Sequence, residues 1–263
     1  MTVNLYLESL ANNLILSSSE KDSIVKSINT LKTRLNSYFD DEMEDCFAFG
    51  SYTRVTILPR KVDDNSDVDY MVVFDNSNNY KPQTFLDKLK RFAEKEYSTS
   101  EIYQSSPTMV LELNHIKFEL VPAYKTYYSE TYYISDGNGG WMETYPNDFN
   151  SQLTKANNNN SYKIKPLVRL IKEWNVKVNY HDLTSYKIEE RIAYNMVYSY
   201  FSCTSYSDYV KEAFNQLKNI TYDSSIRNRI DTAISRVNKA LKYEEESMPY
   251  TALEEIKKVF PEV

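Results

Sequence analysis

Cys46-Phe47-Ala48-Phe49-Gly50-Ser51, followed later by Ser66-Asp67-Val68-Asp69, is the stretch that decides the fold. The first four residues form a short apolar run of strand character that breaks at Gly50-Ser51. A strand that ends in Gly-Ser and turns into a helix presents backbone N–H groups and a hydroxyl, which suits an anion. Asp63-Asp64-Asn65-Ser66 reads as a turn, and Val68–Phe74 as the next strand. Asp67 and Asp69 are two residues apart, so a strand points both to one face. Two carboxylates held side by side repel unless a cation lies between them, and magnesium with substrate phosphates suits such a pair. Taken alone, Asp-x-Asp is common and equally describes an acidic strand entry.

Working outward, apolar residues at Ile24, Val25, Ile28, Leu31, Leu35 and Tyr38 predict an amphipathic helix over 21–38. A helix is expected over 85–97, and two short strands over 108–113 and 116–121, joined at Asn114-His115 as a tight hairpin. In the second of these strands Ile116, Phe118 and Leu120 form one apolar face, which turns Glu119 to the opposite face with Lys117 and Val121. A third carboxylate would then lie beside Asp67 and Asp69 if the strands are neighbours. Residues 135–148, with Gly137, Gly139, Gly140 and Pro146 around Trp141, read as a loop. The asparagine run within Ala156–Ser161 reads as a boundary. Beyond it Pro166 suits a first helical turn, and Leu167, Leu170, Ile171 and Trp174 form an apolar stripe. Further helices are expected over 185–202, 206–219, 224–243 and 250–260. The plan is α+β: a mixed-sheet core over 1–160 with a long N-terminal helix, then an α-helical lobe over 161–263, the active site in the cleft between them.

Composition narrows the function. The chain has 263 residues, of which 41% are hydrophobic, with a net charge of −6. That balance argues against a large basic face for duplex DNA, whose affinity comes mostly from phosphate neutralisation. Two cysteines, Cys46 and Cys203, and two histidines, His115 and His181, make neither a zinc site nor a disulfide framework, so any metal is expected on oxygen ligands. No apolar run reaches membrane-span length and no export signal stands at the N-terminus, so a cytoplasmic protein with no membrane association is expected.

The ordered set Phe49-Gly50-Ser51-Tyr52-Thr53-Arg54-Val55-Thr56, Ser66-Asp67-Val68-Asp69 and Phe118-Glu119-Leu120-Val121-Pro122-Ala123 resembles the DNA polymerase β-like nucleotidyltransferase superfamily. More narrowly, it is similar to the bacterial cGAS/DncV-like nucleotidyltransferases, the CD-NTases with a SMODS-type core. Trp141 with Tyr145-Pro146, the helix Pro166–Asn175 and the segment Leu183-Thr184-Ser185-Tyr186-Lys187-Ile188-Glu189 continue the likeness in order. It runs from about Phe47 to Tyr200. It departs at Glu119, where the family more often carries aspartate, one methylene shorter.

The resemblance implies roles residue by residue. Gly50 and Ser51 hold the donor triphosphate, and Asp67, Asp69 and Glu119 are the catalytic carboxylates and ligands of two Mg2+ ions, with Mn2+ as a substitute. Lys172 and Ser185 contact the β- and γ-phosphates, and Tyr186 stacks on a base. Arg54 and Thr56 brace the cradle from behind. The bland alternatives are a solvated lysine, a helix N-cap and a packing tyrosine. The implied reaction condenses ATP and other NTPs into a cyclic dinucleotide or short cyclic oligonucleotide and releases pyrophosphate. The implied setting is a monomer in antiphage signalling, with a separate effector protein reading the product. Two alternatives stay open: transfer of a nucleotide to an RNA, protein or small-molecule acceptor, and a nucleotide sensor without turnover.

Overall fold

The computed structural model describes residues 1–105, 107–126, 131–146, 148–193 and 200–262, together with the backbone of Tyr194. By its internal contacts the chain forms two compact units. One comprises Ser17–Arg60 and Asn65–Asp148, the other Met1–Leu16, Lys61–Asp64 and Phe149–Val263.

The first unit is built on a mixed sheet. Its strands are β1 (Met43–Phe49), β2 (Asp67–Phe74), β3 (Glu101–Ser105), β4 (Thr108–Glu112), β5 (Lys117–Lys125), β6 (Tyr132–Ser135) and β7 (Trp141–Thr144). The order is β1-β2-β5-β4-β3, with β6 on the later half of β5 and β7 on β6. Among the described strands only β2 and β5 run parallel; the other pairs are antiparallel. One face carries Val68, Tyr70, Val72, Phe74, Phe118 and Leu120, all buried. Two helices, α2 (Ser18–Phe39) and α4 (Pro82–Glu96), pack against the sheet, with Phe39 edge-on to Phe74 at 5.0 Å and Phe85 stacked on it at 4.8 Å. The predicted helix over 21–38 is thus α2. It begins earlier because Ser17 and Glu20 close a capping box around its first turn.

The expected loop over 135–148 is in part a hairpin. β6 and β7 pair from Tyr132↔Thr144 to Ser135↔Trp141. The turn between them is drawn in by Asp136, whose Oδ1 accepts from the N–H groups of Asn138 and Gly140. Gly137 and Gly139 have φ of 81° and 91°, which explains the glycines without making the flanking residues loop.

The second unit is helical. Its described helices are α1 (Val3–Asn13), α5 (Asp148–Asn159), α6 (Ile164–Lys177), α7 (Ser185–Tyr194), α8 (Tyr206–Lys218), α9 (Ser224–Glu245) and α10 (Pro249–Lys257). α1 was not foreseen. Thr2 caps it, and Val3, Tyr6, Leu7, Leu10 and Ala11 are buried where it packs on α6, α8 and α10. Tyr6 Oη donates to the Phe260 carbonyl at 2.6 Å. This packing places the first sixteen residues with the helices rather than with the sheet. The asparagine run also differs from expectation, since Asn157, Asn158 and Asn159 are helical within α5. Phe149, Leu153 and Ala156 give that helix its buried stripe, and Asn157 Oδ1 accepts from the Lys165 N–H at 2.9 Å. The contacts divide the chain at Phe149, ahead of those asparagines. The predicted helix over 185–202 includes residues outside the described set, and residues 200–202 form a turn.

α6 carries an unusual interior group. Glu173 is fully buried, and neither carboxyl oxygen accepts a hydrogen bond among the described residues. Burial raises its pKa from 4.5 to about 8, with Lys177 opposing the rise. A carboxyl whose folded pKa is raised gives full stability below its unfolded value of 4.5, and loses it as pH climbs through about 8. The loss is on the order of 3–5 kcal/mol across that window. Glu173→Gln is isosteric and does not ionise, so its melting temperature should fall less than that of the wild type between pH 5 and pH 9. Parallel melting curves across this range would contradict the burial of a neutral Glu173.

Candidate active site

The face of the sheet opposite α2 and α4 carries the acids. Parallel pairing sets Asp69 against Glu119 and Asp67 against Lys117. Since paired residues on neighbouring strands share a face, Asp67, Asp69, Lys117 and Glu119 lie together. All four are partly exposed, whereas Val68, Tyr70, Phe118 and Leu120 between them are buried. The alternation foreseen for Glu119 is therefore the one found. Farther along the same face Met71, Val73 and Ala123 form an apolar floor, flanked by Phe47, Phe49, Tyr132 and Ile134.

Gly50 closes the site from β1. Phe49 pairs with Asp69 and the chain then turns through Gly50 at φ 73° into the short helix α3 (Gly50–Thr53). A Cβ on Gly50 would stand 1.8 Å from Asp69 Oδ2, so the missing side chain is what lets the carboxylate lie against the backbone. Thr56 N–H donates to the Ser51 carbonyl at 3.0 Å and Ile57 N–H to the same oxygen at 3.2 Å. These bonds fold the chain back behind Gly50-Ser51, with Arg54 and Thr56 buried beneath it.

Lys117 was placed on this face by the sequence but given no role. Its Nζ lies 3.5 Å from Asp67 Oδ2 and 3.7 Å from Glu119 Oε1. Burial opposes its charge, yet Asp67 and Glu119 outweigh burial and raise its pKa. The signal available in the sequence was the i, i+2 spacing of Lys117 and Glu119 on one strand. Thr108 Oγ1 stands 3.5 Å from Glu119 Oε2, and Arg60 pairs with Glu112 at 2.8 Å on the same face.

Among the described residues no three carboxylate, imidazole or thiol side chains converge closely enough to hold an ion outright. The donor set nevertheless fits a hard divalent cation. It consists of carboxylate oxygens on adjacent strands, partly exposed, with a cationic ammonium drawn in between two of them.

The remaining candidates belong to the helical unit. Lys172 on α6 is buried and its ammonium binds the carboxylate of Glu189, itself fully buried on α7. Ser185 is exposed as the first residue of α7, and Tyr186 is 53% exposed with its ring centroid 5.7 Å from that of Phe149. Glu189 is the residue that sequence reading left without a role, although it closes the Ser-Tyr-x-x-Glu segment.

A family model for the Second Messenger Oligonucleotide or Dinucleotide Synthetase domain, SMODS, matches residues 1–157. The chain belongs to the SMODS family. Asp67, Asp69 and Glu119 all fall within the matched stretch of this SMODS protein. A probable cyclic nucleotide synthase of Bacillus cereus strain VD146 is 29% identical over 195 residues, which are 63% of this chain and 57% of that protein. The chain thus spans a little over half the length of that relative. The fold is that of CD-NTases. The Vibrio cholerae cyclic AMP-GMP synthase DncV, in complex with nonhydrolyzable GTP, superposes with a TM-score of 0.76 at 10% identity, covering 95% of this chain and 92% of that one. CdnC of Escherichia coli MS115-1 with ATP gives 0.73 at 16% identity and covers 96% of each chain. CdnG of Bradyrhizobium diazoefficiens with GTP gives 0.70 at 10%, covering 96% and 97%. Among the described residues no helix is long and apolar enough to cross a membrane.

Proposed function

We propose that this SMODS protein is a nucleotidyltransferase that condenses nucleoside triphosphates into a cyclic dinucleotide or short cyclic oligonucleotide and releases pyrophosphate. The observation that carries the reading is the parallel register of Asp69 with Glu119, with Asp67 two residues away on the same face. Family membership and the nucleotide complexes of its structural neighbours support ATP and GTP as the substrate class.

Asp67, Asp69 and Glu119 would hold two Mg2+ ions, or Mn2+ in their place. Bound there, the ions supply Lewis acidity that makes a ribose hydroxyl a better nucleophile and neutralises charge on the leaving pyrophosphate. Gly50-Ser51 holds the donor triphosphate beside Asp69. Lys172 and Ser185 contact its β- and γ-phosphates, and Tyr186 stacks on a base. The hydroxyl loses its proton to solvent, and its oxygen bonds the α-phosphorus as the bond to pyrophosphate breaks. A second transfer, with the linear product's own end as nucleophile, closes the ring. Glu119 reaches one methylene farther than aspartate. Its Cα stands in register beside Asp69 on the neighbouring parallel strand.

The biological setting we propose is cytoplasmic antiphage signalling by a monomer, without duplex DNA as activator, in which a separate effector reads the product. Incubation with the four NTPs and Mg2+, with products resolved by mass spectrometry, tests the reaction. A cyclic product with pyrophosphate is expected. Only unreacted NTPs with Mg2+ and Mn2+ alike would contradict the enzyme reading. Label on an added tRNA or protein, with no free nucleotide product, would replace the acceptor.

A further inference from the structure

The ammonium of Lys117 lies between Asp67 and Glu119, at 3.5 Å from Asp67 Oδ2 and 3.7 Å from Glu119 Oε1. We propose that Lys117 is a positioning residue: it holds Asp67 and Glu119 together in the metal-free protein as a resident cation, and a divalent ion binds only by displacing it. This rests on the reading of Asp67, Asp69 and Glu119 as metal ligands.

The register makes the arrangement deliberate in physical terms. Lys117 stands directly opposite Asp67 across the parallel pair and two residues before Glu119 on its own strand. One flexible stem therefore serves both carboxylates, and its side chain is only 13% exposed. Without a cation, the acids on this face would repel one another on adjacent strands. The neighbouring strand shows the same solution, because Glu112, paired in register with Lys117, is neutralised by Arg60 at 2.8 Å. The two differ in one respect. Arg60 also donates to the Leu113 carbonyl at 3.4 Å and is held in place, whereas the two described ion pairs of Lys117 are to proposed metal ligands. An ammonium is a compact point charge on a rotatable stem and leaves a carboxylate more readily than a forked guanidinium does.

The functional consequence is that a bare ion binds weakly. An ion arriving on a triphosphate is favoured, because the phosphates supply ligands and receive the released ammonium's charge. Occupancy of the carboxylates is then tied to the presence of substrate.

The test measures Mn2+ binding to the full chain without nucleotide, from the free-ion electron paramagnetic resonance signal, for wild type, Lys117→Met and Lys117→Arg. Lys117→Met keeps the stem and removes the charge, so it should bind Mn2+ more tightly than the wild type by up to about fivefold, the worth of a partly exposed ion pair. Its melting temperature without metal should fall, and Mn2+ should restore it. Lys117→Arg should bind like the wild type or more weakly. Equal or weaker Mn2+ binding by folded Lys117→Met, with the wild type binding measurably, overturns the proposal and leaves the carboxylate reading intact. Absence of Mn2+ binding by all three proteins, even with a non-hydrolysable nucleoside triphosphate added, instead removes the carboxylate reading and this proposal with it.

Discussion

Gly50→Ala should cut nucleotide transfer more than about a hundredfold and destabilise the sheet unit at once. A methyl group there would lie 1.8 Å from Asp69 Oδ2, 2.7 Å from its Cγ and 3.0 Å from its Cβ. No rotation of the carboxylate alone removes contacts that extend to the β-carbon. The backbone offers no relief, since φ at Gly50 is 73°, a conformation that costs an L-residue about 1–2 kcal/mol. Together the strain and the clash should cost about 2–4 kcal/mol in stability. Activity should fall by more than about a hundredfold, because displacement of a reacting group by an ångström is enough for that. Denaturant unfolding and a pyrophosphate-release assay read the two effects. Activity within a few-fold of wild type would show that Asp69 does not need its place against Gly50.

Asp69→Asn tests the chemistry without the steric disturbance. Asparagine has the same shape and the residue is partly exposed, so the fold should tolerate it. On the proposed reading it removes one anionic oxygen ligand, and with it several kcal/mol of charge stabilisation in the transition state, about a thousandfold in rate or more. Asp67→Asn should act similarly. It also removes one of the two carboxylates paired with the ammonium of Lys117.

Much of this site was legible because strand alternation is a local property. The phase of Asp67 and Asp69 follows from their spacing, and that of Glu119 from Ile116, Phe118 and Leu120 around it. That β2 and β5 are parallel neighbours is not local: it depends on strands brought together by tertiary contacts, and no residue within either strand encodes it. The ion pair of Lys117 with Asp67 was hidden for the same reason. The helical unit divides likewise. The stripes of α6 and α9 follow from apolar periodicity, while α5 runs through an asparagine-rich stretch that propensity alone reads as a break. Burial of Phe149, Leu153 and Ala156 overrides that preference. α1 carried a readable stripe from Val3 to Ala11, but its association with α6, α8 and α10 depends on contacts with residues more than half the chain away.

The family model reaches from α1 into α5 and contains the whole carboxylate face. Lys172, Ser185 and Tyr186 lie beyond it, and Lys172 is paired with the buried Glu189. An ammonium held by a fully buried carboxylate is already neutralised locally. Its contact with phosphate would add a second anion to that pair rather than satisfy an isolated charge. Ser185 has no such constraint, since it is exposed at the start of α7.

The most direct measurement is pyrophosphate release from mixed NTPs with Mg2+ by the wild type and by Asp69→Asn, with melting curves recorded for both. Release by the wild type, its loss by about a thousandfold in Asp69→Asn and unchanged melting are expected if the strand-borne carboxylates are the catalytic centre. Equal release by the two proteins would place the chemistry elsewhere.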